Sequence, residues 1–508
     1  MLSVAGAVAA VVCVSPALAV LVLALGGDGA ATFGAALARD GALTTLGLVA
    51  IGGGAAIALG AAAAWIATLC DFPGRAQFEW ALALPLAAPS FVLAYAYSGM
   101  TWAGGAAIEV RGFWGASFIY AVGLYPYVYL AARAAFLSQS ASAIEAARSL
   151  GARPGALAWR VGLPLARPAL AAGGALACME IAADYGAAHH FGLTTLSTAI
   201  FRAWQSHGAL QTALQLAALL LAGAMVLMAI ERGARGDRAF AGGAMRWRPP
   251  PRYRLAPIQG AAAAGFCAIL IVLGAGLPLG WLARLAILHA DLAALTAPLL
   301  NTLLLASVGA ALALALALLI AVALRNGGAV GRAAGLASSL GYAAPGAVIA
   351  VGALALFALA RDAGLVGGLS AGLALTALAW TYAARFAAAG VQPIDAGLSR
   401  LSHGLDASAR VLGASPWRRL LRIDLPIAAP SIGAAALILF IEVIKELPAT
   451  LILRPFNFDT LAVRAYAYAS DERLIEAAAP SLAIFIAGLA PMLALSRAMT
   501  RARIGAGA

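Results

Sequence analysis

The sequence predicts an all-α integral membrane protein of about twelve transmembrane helices, arranged as two parallel six-span repeats. Three observations carry this. Hydrophobic residues make up 63% of the 508 and charged residues only 11%, whereas a soluble domain carries about a quarter charged residues. Apolar runs long enough to cross a bilayer, roughly 18–20 residues, recur along the whole chain. Runs of that length are helices, because a helix satisfies its own backbone groups in lipid. The second half also repeats landmarks of the first: Gly151 and Gly413, Pro164 and Pro426, Glu180 and Glu442 all stand 262 residues apart (413 − 151, for instance).

In chain order, spans are expected near 4–25, 42–66, 80–100, 113–136, 168–190 and 209–230. A second set is expected near 260–283, 298–323, 338–360, 364–388, 430–453 and 477–497. The opening stretch contains Ser-Pro-Ala-Leu-Ala, which resembles a cleavage site. It lacks a basic flank and its apolar run is long, so it reads as the first span. The first repeat then covers 1–230 with a cytoplasmic loop at 138–168. The second covers 257–508 with its loop at 390–428. Between them, 231–256 holds seven arginines and Pro249-Pro250-Pro251, and reads as a cytoplasmic linker. Leu84-Pro85-Leu86-Ala87-Ala88-Pro89 is matched by Leu340-Gly341-Tyr342-Ala343-Ala344-Pro345. An even number of spans per copy gives both copies the same orientation, as in transporters built from parallel repeats.

The net charge of +12 does not call for a nucleic-acid partner. With both termini in the cytoplasm, most of the 33 basic residues fall on interior segments, and the opposite topology inverts that bias. The four cysteines are far apart and show neither metal spacing nor a disulfide framework. His189 and His190 are adjacent, so their side chains diverge by about 100° on a helix and the pair alone is a poor chelate. No metal centre is expected.

Two cytoplasmic stretches stand out from this apolar background: EAARSLGARPGALAWRVGLP at 145–164 and ASARVLGASPWRRLLRIDLP at 407–426. In each, a glycine (Gly151, Gly413) stands where a helix ends. In the second copy Ser415 can cap the next helix, with Pro416 at its first position. Pro154 plays the corresponding part in the first copy, and Pro164 closes it. Both therefore read as helix–turn–helix elbows. Arginines mixed with Trp159 and Trp417 suit either an amphipathic face on lipid headgroups or a knob that docks a cytoplasmic partner.

The spacing E-A-A, three residues, G, nine residues, hydrophobic, any residue, L-P resembles the cytoplasmic signature of permease subunits in binding-protein-dependent ABC importers. Glu145, Ala146, Ala147, Gly151, Val161, Leu163 and Pro164 fit it throughout; the second copy keeps Gly413, Ile423, Leu425 and Pro426. The resemblance implies that each elbow is a coupling helix seated on an ATP-hydrolysing subunit. Glu145, Ala146, Ala147, Gly151, Arg153, Leu163 and Pro164 would form one contact. Ala407, Ser408, Ala409, Gly413, Pro416, Trp417, Leu425 and Pro426 would form the other. The second copy departs from the pattern at Ala407, where the signature has Glu; Asp406 is one position, hence about 100°, away.

The chain itself is not an enzyme on this reading. A phosphate-binding loop needs Gly-Lys-Ser/Thr, and the only lysine is Lys445, in Ile444-Lys445-Glu446. No cofactor is expected on this chain. ATP would be used by two separate ATPase subunits.

The fifth span of each repeat carries carboxylates four residues apart: Glu180 with Asp184, and Glu442 with Glu446. That spacing would put each pair on one helical face. An ion near the bilayer centre costs roughly 2.5–3.5 kcal/mol on insertion scales, so these groups should face a cavity or a partner. Glu180, Asp184, Glu442, Lys445 and Glu446 are thus candidates for the translocation path, with neutralisation of Glu442 by Lys445 as the plain structural alternative.

Longer strings narrow the resemblance to fused ferric-iron permeases. These are Lys445-Glu446-Leu447-Pro448-Ala449-Thr450, Leu453 through Leu461 (LRPFNFDTL), Ala469 through Arg473, Asp184-Tyr185-Gly186, and Phe201-Arg202-Ala203-Trp204. The resemblance implies ferric iron as cargo, delivered by a periplasmic binding protein into a bacterial inner-membrane channel. Fused thiamine permeases share the layout and are the nearest rival. A proton-coupled secondary transporter also has two six-span halves, but would not explain the matched interior motifs. No nucleophile–base or metal-ligand cluster suggests a membrane enzyme.

Overall fold

The computed structural model describes residues 2–26, 32–104, 110–138, 149, 158–235, 252–367, 370–399 and 403–505. Helix dominates, with one minimal parallel ladder in which Cys70 and Asp71 pair with Tyr253 and Arg254. Among the described residues eight helices are long and apolar enough to cross a membrane, or ten when each of two bent pairs is one span. The twelve expected spans are therefore not twelve uninterrupted rods. Two of them fall on the helix Ala371–Leu398, which contains Arg385 and Asp395, and on the apolar stretch Leu474–Leu489.

The two bent pairs correct the sequence reading most directly. The expected span at 80–100 is Arg75–Ala87 followed by Ser90–Met100, turned by 92°. That at 338–360 is Gly328–Gly341 followed by Gly346–Asp362, turned by 105°. The turns fall on the matched hexapeptides, at Pro89 and Pro345. Proline removes a helix donor and drives the preceding residue to extended backbone; Ala88 and Ala344 are indeed extended, with ψ of 124° and 123°.

Outward faces are apolar, as lipid demands. On the helix Leu2–Leu23, Val4, Val8, Val11 and Val22 are each more than half exposed. Its other face does not pack mainly on its own half. It lies against Leu292–Arg325, Gly328–Ala343 and Gly346–Asp362 of the second half. A Cβ on Gly341 would sit 2.7 Å from the Ala384 carbonyl oxygen and 3.3 Å from that of Cys13, so only glycine permits this approach.

The second half returns the exchange. Pro257–Ile271 packs on Arg75–Ala81, and Leu277–His289 packs on Ser90–Gly104 as well as on Leu474–Gly505 of its own half. Each exchanged helix contains a proline, Pro16 or Pro278, again 262 residues apart. Pro16 has no N–H to offer the Val12 carbonyl, which instead accepts from the Trp380 indole at 3.1 Å and from the Ser15 hydroxyl at 3.1 Å. Leu273 lies in a wider π-turn (Val272–Gly276) that would pair it with residue 278, also proline. Its carbonyl accepts from the Tyr97 hydroxyl at 2.6 Å. Both freed carbonyls thus receive a donor from the opposite half, where lipid offers no water to do so.

Candidate functional site

The fifth helix of each half ends sooner than its apolar composition suggests. Leu163–Ala183 stops at Asp184 and Leu425–Lys445 stops at Glu446, where both chains turn extended, with ψ of 129° and 119°. The reason is local. Asp184 Oδ1 accepts from the amides of Ala187 and Ala188 at 2.8 and 3.3 Å. Glu446 Oε1 accepts from the amide of Ala449 at 3.0 Å. Each carboxylate therefore holds the start of the next short helix, Gly186–His190 or Pro448–Leu453. The expectation that the i, i+4 pairs share one helical face is corrected accordingly: the second member of each pair lies beyond the helix end.

All five candidates nonetheless meet. Glu180, Asp184, Glu442, Lys445 and Glu446 line one cavity of about 90 Å³ between the halves, together with Ser90, Tyr127 and Arg385. Lys445 donates to Glu442 at 3.1 Å, the neutralisation weighed above. Glu446, buried, is ion-paired with the guanidinium of Arg385, itself buried. Glu180 is different. It stands within electrostatic reach of Glu442, Arg385, Lys445 and Glu446, yet among the described residues no hydrogen bond or ion pair engages its carboxylate. The cavity thus holds two ion pairs and two carboxylates without a cationic partner among the described residues: Asp184, engaged by backbone amides, and Glu180.

Sequence reasoning missed Arg385. The available signal was an arginine inside an apolar helix, which needs a partner at that depth; a reading by span placed it near an end, where it could reach the interface. Among the described residues no group of three or more His, Cys, Asp or Glu could hold a metal ion.

The second elbow takes the expected form. Helix His403–Val411 ends at Gly413, whose φ of 74° is left-handed. The amide of Ala414 returns to the Ala409 carbonyl at 3.0 Å, closing a glycine-terminated cap. Ser415 Oγ accepts from the Arg418 amide at 3.3 Å and starts the helix Pro416–Arg419. Ser408 bonds back to the Gly404 carbonyl at 2.9 Å, and Ala409 faces inward. Trp417 is 48% exposed, and Val411 and Leu412 are 87% and 85% exposed. A buried Asp424 lies between Arg419 at 3.3 Å and Arg325 at 3.9 Å, fastening the elbow to the end of Leu292–Arg325.

Of the first elbow, Glu145, Ala146, Ala147, Gly151 and Arg153 lie outside the described residues. Its exit is described: Trp159 is 75% exposed, and Leu163 and Pro164 open the membrane helix as Leu425 and Pro426 do in the second half. Both exits pass through a matched π-turn, Ala158–Gly162 and Leu420–Asp424.

Several charges of 454–476 pair locally. Asp459 holds Arg454 and, at 3.5 Å, Arg464; Arg473 reaches Glu476 at 3.0 Å. Arg464 and Arg473 lie 4.8 Å from the Tyr468 ring.

Comparison with known proteins adds three findings. The family model described as binding-protein-dependent transport system inner membrane component matches twice, over residues 74–233 and 313–502. The Fe(3+)-transport system permease protein FbpB 2 of Haemophilus influenzae is 26% identical over 450 residues, covering 87% of this chain and 86% of that protein. Shorter likenesses reach other cargoes. The sulfate transport system permease protein CysT of Synechococcus elongatus is 36% identical over 20% of the chain and 40% of its own length. The molybdate/tungstate transport system permease protein WtpB of Thermococcus kodakarensis is 44% identical over 11% and 23%.

Proposed function

Since the chain belongs to the family of binding-protein-dependent transport system inner membrane components, we propose that it is the fused permease of an importer that carries ferric iron into the cytoplasm. The carrying observation is the reach of the iron-type likeness, which runs over 87% of the chain, whereas the sulfate and molybdate/tungstate likenesses cover a fifth of it or less. A thiamine permease of the same layout is the competing assignment.

In the proposed cycle a periplasmic binding protein docks on the outer face and two cytoplasmic ATPase subunits dock on the elbows. Glu145 through Pro164 would take one ATPase and Ala407 through Pro426 the other. Exposed Trp159 and Trp417 supply apolar anchors. ATP binding draws the two motor subunits together, and the elbows pass that movement along Leu163–Ala183 and Leu425–Lys445 to the cavity at their far ends. Both termini would lie in the cytoplasm of a bacterial cell whose inner membrane holds the complex.

Glu180 would take part in conduction, because a carboxylate that neither a cation nor a backbone amide engages can attract a cation without trapping it. Asp184 and Glu446 shape the cavity wall as helix starts, and Lys445 pairs with Glu442. The cargo would pass as substrate, with no cofactor resident on this chain.

Uptake of radiolabelled iron into vesicles containing this chain, its ATPase and an iron-loaded binding protein tests the proposal. Accumulation should require ATP and the binding protein. Thiamine uptake without iron uptake would reassign the cargo, and accumulation driven by a proton gradient alone would remove the chain's assigned mechanism.

A further inference from the structure

Outside the charged cavity lie two larger ones, of about 430 and 250 Å³, which share His189, Gly192 and Tyr466 as lining. The 250 Å³ cavity and the inner 90 Å³ cavity share Tyr185. Between outside and inside, therefore, stands a seam of three side chains. The hydroxyls of Tyr185 and Tyr466 are 2.7 Å apart, and Tyr466 is 3.4 Å from His189 Nδ1. One phenol comes from each half. Tyr185 is held by stacking on Phe201, with ring centroids 3.9 Å apart.

The repeat does not explain this cluster. At the matched positions the second half has Leu447 for Tyr185 and Leu451 for His189, and the first half has Phe201 for Tyr466. Two oxygens and one nitrogen thus converge by departure from the duplicated pattern. His190 does not join them; it turns to Ser98 at 2.9 Å and to the edge of Tyr95.

We infer that Tyr185, Tyr466 and His189 form a transient binding site for a trivalent hard cation, placed where the outer vestibule is closed from the inner cavity. Phenolate oxygen is a hard donor and neutral imidazole a common iron ligand. On binding, each ligating tyrosine exchanges its O–H bond for an O–Fe(III) bond and releases one proton to water. The iron stays ferric and no electron moves. The phenol–phenol hydrogen bond that closes the seam is lost in the same event, so occupancy and opening are one step. Three ligands leave the ion undersaturated, and it can pass on toward Glu180. The inference rests on the ferric reading above, and its test separates the two.

The full chain in lipid nanodiscs is titrated with ferric nitrilotriacetate. Wild type should develop a visible phenolate-to-iron charge-transfer band that excess gallium nitrilotriacetate abolishes. Tyr185→Phe and Tyr466→Phe should each weaken iron binding at least about tenfold and reduce or remove the band. His189→Gln should weaken binding and keep the band, and Tyr468→Phe, on the same helix as Tyr466 but outside the cluster, should change neither. Unfolding temperatures close to wild type show that the variants are folded. If wild type takes up iron in vesicles but the band is missing, or survives unchanged in both tyrosine variants, the site is wrong and the cargo stands. If wild type takes up no iron, cargo and site fall together.

Discussion

Arg385 and Glu446 form a pair that neither member can leave cheaply. Both are buried, and removing one charge from a buried pair typically costs about 3–5 kcal/mol because the other is stranded. Arg385→Met should lower the unfolding midpoint in detergent by that measure. Adding Glu446→Gln should restore most of it, since an amide acceptor can still receive the Ala449 N–H. Glu180 obeys a different logic. With no cation bound to it, Glu180→Gln should leave stability and ATPase docking unchanged but slow uptake by roughly tenfold, the equivalent of ~1.4 kcal/mol on the barrier. Undiminished uptake would return Glu180 to a purely structural role. The clustering of these side chains was legible in the sequence because ions in apolar helices need a reason. Their pairing was not. Arg385 lies 61 residues from Glu446, and a charge that could reach an interface gives no hint that it turns inward.

At the scale of elements, what could be read was what local chemistry decides. Gly413, Ser415 and Pro416 stop and restart a helix by rules that need no tertiary context, and the second elbow obeys them. Gly413→Ala forces an L-residue into left-handed backbone at about 1–2 kcal/mol. It should raise hydrogen exchange over 403–419 and lower transport-coupled ATP hydrolysis, with little effect on the unfolding midpoint of the membrane helices. The bent pairs were misread for the opposite reason. Hydropathy records that a segment is apolar and says nothing about its direction, so Pro89 and Pro345 looked like interruptions within straight spans. The early ends at Asp184 and Glu446 were hidden too, since a carboxylate that caps the next helix and one that lines a path have the same spelling.

Across the whole molecule, the duplication was plain from sequence but the exchange of first helices was not. A face turned to lipid and a face turned to the opposite half are equally apolar, so composition cannot tell them apart. Tyr97→Phe tests the exchange where it is most exposed to failure. It leaves the Leu273 carbonyl without its donor, a loss of about 1–3 kcal/mol for a buried acceptor. Protection from hydrogen exchange should fall in 257–289 and along 90–100 together, although these segments belong to different repeats. Equal protection in mutant and wild type would mean that the contact contributes nothing to joining them.

That reciprocal embrace has a consequence for ancestry. A unit whose leading helix packs on its neighbour would lose that packing as a single copy. Fusion of a protein that already assembled as twins, each lending an arm to the other, would leave such an arrangement. It would add a covalent thread to a symmetric pair, and from then on the two sides would be free to diverge.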